Sequence, residues 1–77
     1  MKKEDRITIS KELRDEMITE IKDYFSSERN EEIGDLSAGL MLDFIIERLA
    51  PGFYNRGVDD AYRYMKESAE DLLSIRI

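Results

Sequence analysis

Large apolar residues recur every three or four positions from Leu13 onward: Leu13, Met17, Ile21, Tyr24 and Phe25, with Ile18 beside them. That spacing marks one face of a helix. Ser10 stands ahead of it as an N-cap, and Glu12 adds a negative charge to the first turn, so a first helix is predicted over 11–26. Upstream, Arg6-Ile7-Thr8-Ile9-Ser10 alternates polar and apolar. A period of two suits a short strand over 6–10, which needs a partner strand to be stable. The same residues also fit an extended arm that tucks two isoleucines onto the helices. Residues 26–30 are polar and carry no period, which predicts a loop.

A second helix is predicted within 31–49. Two starts are open: Asn30 caps a helix opening on Glu31, or Gly34 breaks the chain and Asp35 caps. The segment Leu40 to Ile46 is apolar nearly all round, interrupted by Asp43. At 100° per residue, only Gly39, Asp43, Glu47 and Ala50 form a stripe without large apolar side chains. A helix apolar over most of its circumference needs cover on two sides. Pro51 is expected to stop this helix at about Leu49 and to open the next. Tyr54, Val58, Ala61, Tyr62, Met65, Ala69, Leu72 and Leu73 then predict a third helix over about 52–74, with a kink or fraying near Gly57.

The chain has 77 residues, with 12 Lys and Arg against 18 Asp and Glu, a net charge of −6. The sign is uneven. Residues 1–14 hold five basic and three acidic side chains, and residues 15–77 hold seven against fifteen. Residues 1–6 are expected to be a flexible basic arm on an acidic body. Cys and His are both absent. This removes disulfides, thiolate nucleophiles, cysteine-held metals and the usual general base near neutral pH. Any metal would have to be held by oxygen alone. There is no apolar run of transmembrane length, and the basic start leads into no apolar stretch, so a cytoplasmic protein without membrane contact is expected. The acidic balance disfavours nucleic acid as a partner.

Candidate chemistry is thin. Gly34 and Gly39 have phosphate-loop spacing, but Leu40 and Met41 follow where Lys and Ser or Thr are required. The carboxylates Glu31-Glu32, Asp59-Asp60 and Glu67/Glu70/Asp71 fall on faces predicted to be solvated. Asp43 is the unusual residue, because no basic side chain lies three or four positions away. It either shares the narrow polar stripe with Glu47 or forms a polar cluster with Tyr54, Asn55 and Arg56 just beyond the expected turn.

The segments Glu31-Glu32-Ile33-Gly34-Asp35-Leu36, Leu42-Asp43-Phe44 and Phe53-Tyr54-Asn55-Arg56-Gly57-Val58-Asp59-Asp60-Ala61 carry a likeness. Over about Ile7 to Leu73 the chain resembles a family of small bacterial proteins, domain of unknown function number twenty-one sixty-four. That resemblance implies no activity, ligand or catalytic residue. Residues 6–26 are also similar to ribbon-helix-helix repressors, whose paired strands lie in the major groove. The likeness implies Arg6 and Thr8 as base readers, with Lys2, Lys3 and Lys11 on phosphates. The acidic body and the third helix depart from that pattern.

The expected fold is therefore all-α: three helices in a single domain, with a short N-terminal strand or arm. A chain this small buries only about 60% of its unfolded surface, so oligomerisation is the natural supplement. The expected role is a non-catalytic interaction or regulatory module acting as a homodimer, without cofactor or metal. A further protein partner is open. Leu40, Met41, Phe44 and Ile45 are the candidate dimer interface.

Overall fold

The computed structural model describes residues 7–76. The first helix, α1, spans Lys11–Glu28. Its start is set as the sequence indicates: the Leu13 amide donates to the Ser10 hydroxyl at 3.1 Å. It runs two residues beyond the expected end. Asn30 then adopts a left-handed backbone, φ 52°, which turns the chain so that the Glu31 amide donates back to the Phe25 carbonyl. An Asn tolerates that conformation far better than most side chains. Asn30 thus ends one helix and does not cap the next.

The following helix, α2, spans Asp35–Phe44 and begins directly after Gly34. It does not stop before Pro51. One wide turn over Ile45–Leu49 carries it into α3, Ala50–Asp71, and a tight turn over Leu72–Ile75 finishes it. The cause is local. A proline inside a helix donates no hydrogen bond, and its ring presses on the carbonyl four residues back, here Glu47. In the wide turn the Ala50 amide reaches the Ile45 carbonyl, five residues back. One extra residue in that turn relieves the clash and lets the helix continue. The chain is also helical through Gly57, so the helix does not fray there.

The three-helix domain is thus corrected to two helices, one short and one long. Among the described residues there is no strand either: residues 7–10 are irregular, with Ile7 and Ile9 half-buried and Thr8 and Ser10 exposed. The expected arm over 1–6 lies outside the described residues. Residues 35–75 at 1.5 Å each make a rod of about 61 Å, and the molecule measures 65 × 31 × 20 Å. Its radius of gyration is 19.0 Å, against about 11.5 Å for a compact domain of this length.

The helices pack antiparallel with a simple register. Arg14 pairs with Asp43 at 2.8 Å, and Lys22 with Asp35 at 2.7 Å. In both pairs the residue numbers add to 57. The same rule puts Ile18 opposite Gly39, and Ile18 is a near neighbour of Gly39. The rule holds as far as Lys11, opposite Ile46; residues 7–10 are not helical and rise further per residue. Past Pro51 every described residue of the rod except Ser68 is exposed. Replacing Ser10 with Ala should lower hairpin stability by about 1 kcal/mol, read as a lower urea midpoint at an unchanged slope.

Candidate functional site: an uncovered helix face

Burial is confined to the hairpin. Among the described residues only two apolar side chains are fully enclosed, Ala38 at 0% and Leu42 at 3% exposure. Both lie on the α2 face that meets α1. Gly39 sits between them in sequence and lets α1 come close: the Arg14 guanidinium reaches the Gly39 carbonyl at 3.4 Å while also holding Asp43. Larger apolar side chains from α1, including Met17, Ile18, Ile21 and Phe25, are half-buried around this contact.

Asp43 therefore has a basic partner, supplied by α1. Arg14 lies 29 positions away in sequence, so helical spacing alone does not indicate it. The proposed cluster of Asp43 with Tyr54, Asn55 and Arg56 does not assemble. On a continuous rod those residues stand about 16 Å further along the axis, and Arg56 pairs instead with Asp60 at 3.1 Å. The nucleic-acid candidates are only partly described. Arg6 lies outside the described residues, Thr8 is exposed, and Lys11 is held by Asp15 at 3.0 Å.

The expected interface residues divide. Leu40, Met41 and Phe44 are exposed, whereas Ile45 is half-buried. Leu36, Leu49 and Phe53 are exposed beside them, and a second bare surface lies further along the rod. Along α3 and its terminal turn, Tyr54, Val58, Tyr62, Met65, Leu72 and Leu73 are all exposed, from 49% at Val58 to 68% at Tyr62. They share one side of the helix. Its opposite side carries Arg56, Asp59, Asp60, Arg63, Glu67 and Glu70, where Asp60 is held between Arg56 and Arg63. Tyr54, Val58, Ala61, Met65, Ser68 and Leu72 recur at alternating steps of four and three. That is the spacing by which a helix seats against another helix along a straight seam. The signal is present in the sequence. In a chain expected to fold back at Pro51, it describes an internal core instead of a bare face.

One titration is displaced. The hydrogen bond from Lys22 to Asp35, then the charge of Asp35, with Asp23 adding, hold the Lys22 ammonium above its ordinary value of 10.5. A raised lysine value means the folded state holds its proton more tightly. The stabilisation is complete below pH 10.5 and is lost as pH rises through the higher folded-state value.

A helical hairpin whose long member projects beyond its own cover defines an all-α protein with no internal core in its second half. The chain belongs to the family described as Uncharacterized conserved protein (DUF2164), whose model matches residues 7–75. No curated protein and no solved structure matches it. Among the described residues, no helix is long and apolar enough to cross a membrane.

Two outcomes check this anatomy. Leu42→Ala should cost about 2 kcal/mol or more, read by loss of helical circular dichroism at lower urea. Asp35→Asn should remove the Lys22 contribution, so that the gap in thermal midpoint between wild type and variant at neutral pH narrows above pH 10.5, leaving the part that the Asp35 charge supplies at the α2 N-terminus.

Proposed function

We propose that this protein is a small, cytoplasmic, non-catalytic interaction module that acts as a homodimer. The observation that supports this reading is the continuous apolar side of α3, left bare on a helix with no described residue beside it. An isolated helix is marginal in water, because its backbone bonds barely offset the ordering of the chain. Packing must supply the difference, and from Gly52 to Glu67 every residue of the rod is exposed.

Magnitudes favour a second copy as the occupant. Six large side chains on this face, Tyr54, Val58, Tyr62, Met65, Leu72 and Leu73, each offer on the order of 100 Å². That makes about 600 Å² per partner, the lower edge of a standard specific interface. A two-fold pairing meets this with a surface that each copy already carries. Tyr54 and Tyr62 suit such a seam, since each buries a ring while its hydroxyl stays wet. The reading moves the principal seam from Leu40, Met41, Phe44 and Ile45 to α3.

Sedimentation equilibrium at micromolar concentration should give twice the chain mass of 9.1 kDa. Met65→Glu should give a monomer with reduced helicity, while Glu67→Gln on the opposite side should leave the dimer intact. A wild-type chain that stays monomeric and fully helical removes the reading.

A further inference from the structure

We infer that the two copies pair antiparallel along α3, with a two-fold axis near Arg63. This rests on the homodimer proposed above. The argument comes from the sizes of the residues on the seam. In order they are Tyr54, Val58, Ala61, Met65, Ser68 and Leu72. They do not alternate evenly: the smallest side chains, Ala61 and Ser68, lie on either side of the flexible Met65.

A parallel pair sets every seam residue against itself. Ala61 would face Ala61 and Ser68 would face Ser68, leaving two hollow layers, while Tyr54 against Tyr54 would force the helices apart. Seams of uniform helix separation need large against small across each layer. An antiparallel pair in which facing residue numbers add to about 126 provides that. Ala61 then faces Met65, and Val58 faces Ser68. Tyr54 faces Leu72 at each end of the overlap.

Neighbouring antiparallel registers do less well. A shift by one repeat in one direction sets Tyr54 on Met65 and Val58 on Ala61, but carries Ser68 onto Pro51 and Leu72 onto Glu47, so four seam layers are formed instead of six. A shift the other way leaves Tyr54 unpaired and relies on Ile75, the last residue of the terminal tight turn, whereas the chosen register reaches only its first residue, Leu72. Charge does not oppose the chosen register. The positions flanking the seam, Asn55, Gly57, Tyr62, Tyr64 and Ala69, are uncharged, and Asp71 comes opposite Gly57. Tyr62 would meet its own copy on one flank of the axis, and Tyr64 its own copy on the other.

The chain contains no cysteine, so introduced thiols report without background. Val58→Cys and Ser68→Cys chains are prepared separately, then mixed under a mild copper-phenanthroline oxidant. The proposed pairing brings the thiol at position 58 of one copy against the thiol at position 68 of the other. It separates each from its own counterpart by about 15 Å along the axis, too far for a disulfide. The expected result is a cross-linked dimer in the mixture, formed at least tenfold faster than in either chain alone. Tyr54→Cys mixed with Leu72→Cys should behave the same way and guards against a defect of the first pair. Rapid linking of Val58→Cys chains alone indicates a parallel seam and overturns the inference, though not the dimer. A dimer by sedimentation that links in neither mixture also overturns it. A monomer removes the proposal on which it rests.

Discussion

The seating of α1 against Ala38, Gly39 and Leu42 is the contact on which this molecule depends. It is the place where side chains are sealed from water, and its position decides what else is left open. Arg14 secures it with one guanidinium that touches both the Asp43 carboxylate and the Gly39 carbonyl. Both ion pairs of the hairpin are partly exposed, so each contributes little by itself. They fix which residue of α1 lies beside which residue of α2. Burial of apolar surface supplies the energy.

That register has a limit built into the chain length. A partner helix that starts at Lys11 and lies antiparallel to α2 ends opposite Ile46, with only residues 7–10 of the described chain ahead of it. The remainder of α3 is strongly two-sided, with one apolar side and one laced with ion pairs. The ion-paired side keeps the helix compatible with water, and the apolar side gives it a reason to meet something. Neither property needs a catalytic group.

The helices themselves are legible in the residues. Ser10 and Glu12 mark the start of α1, and the apolar positions of α1 and α3 fall where their spacing puts them. The architecture departs from that reading at one residue. Pro51 reads as a stop because a proline removes a hydrogen bond and collides with the preceding turn. Nothing in the local sequence says that the collision will be relieved by widening a turn instead of ending it. With a stop there, Tyr54 and its neighbours look like an internal core, and Asp43 looks close to Asn55 and Arg56. With the helix continued, the first group is bare and the second is dispersed. The partner of Asp43 is hidden for a different reason: long-range pairs leave no periodic trace. The strand over 6–10 rests on two isoleucines, whose alternation equally suits an irregular segment resting on helices.

The widened turn at Ile45–Leu49 also fixes an angle. One additional residue in a helical turn rotates everything beyond it by about 100° relative to an unbroken helix. The direction in which α3 presents its tyrosines, measured from the hairpin, is therefore set by a single backbone offset. A chain shortened by one residue at that point would keep both halves sound, yet would aim the same side chains a quarter-turn away, fixing them in a different orientation to the hairpin. The heading of the bare face relative to the hairpin is written into the five residues Ile45–Leu49.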